Sequence, residues 1–147
     1  MKGRDKMAFL RTLDISGSAL TAQKLRMKVI AQNLANASTT KTESGEAYKR
    51  KLVVFKEKSD VNSFENELGS SLAGVEVSAI VEDNDDYKLD YDPQNPNADE
   101  NGYIKIPNVN TLEEMIDMMS ASRSYEANIT AFNAIKQMAS AALNIGK

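Results

Sequence analysis

Both ends of the chain carry long stretches with apolar residues at alternating three- and four-residue spacing, and the segment between them does not. The spacing predicts one helix near residues 7–37 and another near 111–145. Each would be about thirty residues long, or roughly 45–50 Å at 1.5 Å per residue. The strands expected between them are short beside helices of that length, which favours burying apolar helix surface by pairing the chain's own ends and by meeting other chains over folding the middle across it.

In the first stretch the stripe runs through Phe9, Leu13, Ser16, Leu20, Gln23, Met27, Ile30, Leu34 and Ala37. Leu13, Leu20, Met27 and Leu34 recur every seven residues, which makes a heptad seam. Ala22, Leu25 and Val29 form a smaller second stripe, and Gly17 falls mid-helix, as expected of a bend or a close helix contact. The second stretch holds the same spacing through Met115, Met118, Ser122, Tyr125, Ile129, Phe132, Lys136, Ala139 and Leu143. A further stripe takes in Leu112, Ile116, Met119, Ala127, Ala131, Ile135, Met138, Ala142 and Ile145. Thr111 and Glu114 are placed as a capping box opening this helix. A helix apolar on two sides cannot be satisfied by one partner helix. The expected division sets Leu13, Leu20, Met27 and Leu34 against Met118, Tyr125, Ile129 and Phe132 within the chain. Leu112, Ile116, Met119, Ile135, Met138 and Ile145 are left for neighbouring subunits.

The middle reads as β. A strand is expected around Leu52-Val53-Val54-Phe55, and Val75, Val77, Ala79 and Val81 alternate with polar residues, as do Tyr87, Leu89 and Tyr91. Ile104 and Ile106 make a last short strand before Pro107. The fold class is thus α+β: an antiparallel coiled coil formed by a discontinuous domain of residues 1–37 and 111–147, with a β-rich insert at 38–110 and a mobile loop near 59–74.

Composition removes several classes of function. There are no cysteines and no histidines, so disulfides and the commonest catalytic base are excluded, and zinc and most transition-metal sites lose their usual ligands. No apolar run reaches the roughly 20 residues of a membrane span, and Arg11 and Asp14 interrupt what might otherwise be a signal-peptide core. Residues 1–58 hold 13 Lys/Arg against 5 Asp/Glu, and residues 59–147 hold 5 against 16, which leaves the net charge of −3. The two parts either neutralise each other within one fold or guide subunits into register. Lys49-Arg50-Lys51 has only Tyr48 beside it, so nucleic-acid binding is not expected and a solvated strand edge is. The acidic run from Glu76 to Glu100 imitates the start of a calcium loop at Asn97, Asp99, Asn101 and Gly102. Asn108 stands where the loop requires Glu. No metal, cofactor or catalytic residue is assigned, and Glu82, Asp83, Asp85 and Asp86 are read as a solvated loop.

The run Gln32-Asn33-Leu34-Ala35-Asn36-Ala37-Ser38-Thr39-Thr40 resembles the segment that ends the N-terminal helix of bacterial flagellar rod and hook proteins. The resemblance extends through Tyr91-Asp92-Pro93, through the run from Pro96 to Tyr103, and through Arg123, Tyr125, Glu126 and Asn128. It covers nearly the whole chain and is closest to the proximal rod members of this axial family. Ser38 and Thr40 depart from residues often found in relatives.

The resemblance implies a structural, non-enzymatic subunit of the flagellar rod that self-assembles and transmits torque. It further implies motility as the process served, export through the flagellar type III apparatus without a cleaved signal, and a place in the basal body within the periplasm. The implied partners are other rod proteins, the ring at the rod base and the export gate. Two other classes compete with it. One is a cell-wall peptidoglycan hydrolase, supported only by the acidic run, and the other is a helical adaptor forming a small oligomer.

Overall fold

A computed structural model describes residues 2–58 and 73–145, with the side chains of residues 2–10, 143 and 145 left undescribed. The expected loop near 59–74 lies almost wholly outside the described residues. The element order is α1 (Lys2–Ala35), β1 (Lys51–Lys58), β2 (Gly74–Glu82), β3 (Lys88–Tyr91), β4 (Tyr103–Ile106) and α2 (Thr111–Ile145). The fold is α+β, as expected, with the two terminal helices packed on each other.

The helices run antiparallel. Near the end of α1, Asn33 meets Glu114 in the first turn of α2, and one turn further along α2 Asp117 meets Arg26, two turns back on α1. Their interface is built from small and polar residues as much as from large apolar ones. Ala22, Val29, Ile30 and Ala121 are buried, and so are Ser16, Asn33 and Glu114. Gly17 makes no close helix contact: a Cβ there would meet nothing within 4 Å.

β1 and β2 form an antiparallel ribbon with Leu52 opposite Val81 and Val53 opposite Ile80, and its register shifts between Val54 and Phe55. A two-stranded ribbon is marginal alone, and this one lies along α1. Seating is close where β2 begins. The Ser18 hydroxyl accepts a bond from the Val75 amide at 3.1 Å, and a Cβ at Gly74 would fall 2.7 Å from that same oxygen. Only glycine lets the strand approach the helix this closely.

β3 and β4 make a second antiparallel pair, Asp90 opposite Ile104 and Tyr91 opposite Tyr103. Alternation puts Ile104 inward and buried, while Leu89, Tyr91 and Tyr103 stay outside. The intervening turn ends at Gly102, whose φ of +82° is in the left-handed region. The Asp99 carboxylate pins this turn by accepting from the amides of Asn101 and Tyr103.

α2 starts differently from the expected capping box. The cap is Asn110, whose side-chain oxygen accepts from the Leu112 amide at 3.1 Å while its carbonyl accepts from Glu114. Thr111 is the first helical residue. Glu114 does not reach back to it, because its carboxylate is engaged elsewhere.

Among the described residues no strand packs along α2. Among the same residues, α2 packs on α1 and is met at its first turns by Arg50.

Candidate functional site

The end of α1, the start of β1 and the first turns of α2 converge on one buried polar knot. Asn33, 1 % exposed, uses all of its amide. Its Nδ2 donates to the Lys51 carbonyl at 2.9 Å and to Glu114 Oε2 at 3.0 Å. Its Oδ1 accepts from the Tyr48 hydroxyl and from the Lys51 amide, both at 2.9 Å. Asn33 thus stands in for a strand partner to Lys51, where β1 has no neighbour on that side.

Glu114 is equally buried and is neutralised by Arg50, whose Nε donates to Glu114 Oε1 at 2.6 Å. Arg50 also reaches Asp83 at 3.5 Å and Asp117 at 3.6 Å, and Asp117 is shared with Arg26 at 3.3 Å. The Arg50 amide donates to Asn108, whose own amide donates to the Asp85 carbonyl. Burial opposes the charge on Arg50. The bonds and charges of Glu114 and Asp83 outweigh that, and the guanidinium is held above its ordinary value. Burial, with Glu114 and Glu82 nearby, pushes the Tyr48 hydroxyl up as well.

Two sequence readings are corrected here. Arg50 is no solvated strand edge; it is the hub of the knot, with its side chain 20 % exposed. Asp83 belongs to the same network and not to a free acidic loop. The flanking lysines do lie outward, Lys49 over the Tyr87 ring at 5.3 Å and Lys51 over the Tyr48 ring at 5.8 Å. Ion pairs of Arg26, Arg50 and Lys56 join the basic first part of the chain to the acidic second part. Among the described residues, no group of three or more carboxylates converges as a metal site would require.

The residues expected in the helix seam are placed as follows. Leu13, Leu20, Met27, Leu34, Met118, Tyr125 and Phe132 are half-buried, and Ile129 is 37 % exposed at the margin. Of the residues set aside for neighbours, Leu112, Ile116, Met119 and Met138 are more than half exposed, as is Met115. Ile135 is half-buried. The side chain of Ile145 lies outside the described residues.

The residues that carried the resemblance have separate tasks. Asn33 organises the knot. Asn36 closes α1, donating to the Gln32 carbonyl and accepting from Thr39. Tyr91 stacks edge-on against Tyr103 at 5.2 Å, Asp92 bonds the amide of Gln94, and Pro93 packs beside Gly102. Tyr125 and Asn128 are half-buried on α2, while Arg123 and Glu126 are exposed. The sequence reading gave Arg50 and Asp83 other roles and did not single out Asp117. The available signal was a lone arginine between two lysines, which becomes informative only when three acids far along the chain are brought around it.

Comparison with known proteins agrees with this arrangement. A family described as flagella basal body rod protein matches residues 13–41, and the C-terminal family of flagellar basal body rod FlgEFG proteins matches residues 100–145. A flagellar basal-body rod protein FlgC of Bacillus subtilis is 46 % identical over 150 aligned positions, covering 96 % of this chain and all of the relative. The Salmonella typhimurium FlgC is 44 % identical with the same coverage.

The chain belongs to the FlgC family of flagellar basal-body rod proteins.

The FlgC of Aquifex aeolicus is 42 % identical over 90 % of this chain. As a family member the chain is a structural subunit of the rod in the flagellar basal body, where rod proteins assemble with other flagellar components. The relatives' descriptions give no support to a cell-wall hydrolase. Among the described residues, no helix is long and apolar enough to cross a membrane.

Proposed function

We propose that this FlgC-family subunit has no catalytic role and self-assembles into the proximal rod through the outward face of α2. Residues 1–37 and 111–147 act as the helical layer, and residues 38–110 as an outer β-rich layer. Torque passes between subunits through the α2 contacts. The rod section lies in the periplasm, which the chain reaches by type III export without a cleaved signal. Its neighbours are other rod proteins, the ring at the rod base and the export gate.

The observation that carries this reading is the exposure of Leu112, Ile116, Met119 and Met138 on a helix along which, among the described residues, no strand packs. At about 1.5–3 kcal/mol per large apolar side chain, covering these four contributes on the order of 10 kcal/mol. That is enough to offset much of the cost of ordering one subunit against the next.

The test replaces Ile116 and Met119 together with Asp. Both are more than half exposed, so the isolated subunit should keep its helical circular dichroism and melting temperature. Cells carrying the variant should lack rods and be non-motile. Normal motility with a folded double variant would overturn the interface.

A further inference from the structure

Over its first three turns, α2 packs against α1 with its less apolar side. The buried or half-buried residues there are Glu114, Asp117, Met118 and Ala121. The exposed large apolar ones are Leu112, Met115, Ile116 and Met119, at 66 %, 51 %, 55 % and 55 %, beside exposed Thr111, Glu113 and Ser120. Over these turns, burial of large apolar side chains alone would favour packing that set on α1, whereas further along the half-buried side carries Tyr125 and Phe132. What opposes that rotation is visible at the same level of the helix. Glu114 is held by Asn33 from α1 and by Arg50 from the start of β1, and Asp117 is held by both Arg26 and Arg50. Rotating α2 would carry both carboxylates away from these partners and leave Asn33 and Arg50 buried with bonds unmade.

We infer that the Asn33–Glu114–Arg50 knot, with Asp117, is a rotational selector, which fixes the face that the first three turns of α2 present to α1 and so keeps the more apolar face of those turns outside. A polar group in an otherwise permissive helix interface can choose register at little benefit to stability. Here it chooses rotation, against the hydrophobic preference. The inference concerns the lone subunit and stands or falls independently of the assembly proposed above.

The chain has no cysteine, so a single introduced thiol reports which face is covered. Cysteine is placed at Met119, which is 55 % exposed, or at Ala121, which is fully buried. In the parent background the thiol at 121 should be alkylated at least roughly tenfold more slowly than the thiol at 119. The selector is then removed with Asn33→Leu and Glu114→Leu together, in a background where Asp117→Ala releases Arg26 and Arg50 from that carboxylate, which keeps Arg50 paired with Asp83. The helical circular dichroism should persist, and the two thiols should react within about threefold of each other as both rotations become populated. Glu114→Gln retains volume, but its single carbonyl oxygen can accept from Asn33 or from Arg50 and not from both, so it should give an intermediate ratio. An unchanged ratio in either folded variant overturns the inference. So does loss of helical signal in the double leucine variant, because the knot would then hold the helices together instead of choosing between their faces.

Discussion

Asn33→Asp alters one side-chain atom and should be among the most damaging surface-neutral changes in this subunit. The wild-type Nδ2 donates to the Lys51 carbonyl and to Glu114 Oε2. A carboxylate oxygen in its place can donate to neither. It also faces the Glu114 carboxylate at the former hydrogen-bond distance of 3.0 Å, in a site where both residues are 1 % exposed. Two unit charges 4 Å apart repel by about 4 kcal/mol at an effective dielectric constant of 20. Each lost buried bond adds roughly 1 kcal/mol or more. Relaxation and the proximity of Arg50 reduce the sum, leaving an expected loss of about 3–5 kcal/mol at pH 8, a large share of the stability typical of a domain.

The repulsion can be relieved by a proton, so the introduced carboxyl should titrate above the ordinary Asp range. A raised folded-state value makes the penalty largest above that value and smaller as pH falls through it. Urea unfolding followed by circular dichroism at pH 8 and pH 5 measures both features. The deficit relative to the parent should be larger at pH 8. A deficit below about 1 kcal/mol, or one equal at the two pH values, would refute the claim that Asn33 is a desolvated donor to Glu114.

Other expectations follow from the same geometry. Burial raises the Tyr48 hydroxyl above its ordinary value of 10.0, so its contribution is intact below that pH and is lost as pH rises through the folded-state value. The parent should therefore lose more stability between pH 9 and pH 11 than Tyr48→Phe does in the same urea titration. Asn110→Ala should cost about 1 kcal/mol and Thr111→Ala only a few tenths, because Asn110 is the cap of α2; the reverse order would restore Thr111 to that role. Gly102→Ala forces a left-handed φ of +82° on a side chain and sets its Cβ 3.0 Å from Tyr91 Cε2 and 3.2 Å from Pro93 Cβ. It should cost about 1–3 kcal/mol and change the near-ultraviolet tyrosine signal while the far-ultraviolet helical signal persists.

Which parts of this fold are legible in sequence depends on the range of the interactions. The helices declare themselves through a repeat carried by many residues each, and the strands through alternation at Val75, Val77, Ala79 and Val81. The turn before Tyr103 is marked by glycine and acidic residues with local bonding habits. Glu114 shows where this stops. In sequence it completes a plausible capping box with Thr111, and three residues of local context support that reading. In the fold a partner 81 positions away takes it instead, because burial makes an unpaired carboxylate far costlier than an unmade cap bond.

The apolar surplus of α2 was a property of the sequence alone: too many large side chains lie on two sides of one helix for a single partner to cover. The three-four seam also set Met118, Tyr125 and Phe132 toward α1, and these are half-buried. What the pattern did not carry is why the first turns of α2 hold to that side, since the apolar count over Leu112, Met115, Ile116 and Met119 points the other way. Tertiary structure decided it by bringing Asn33, Arg50 and Arg26 around Glu114 and Asp117. Desolvated charge is unforgiving of position in a way that apolar contact is not.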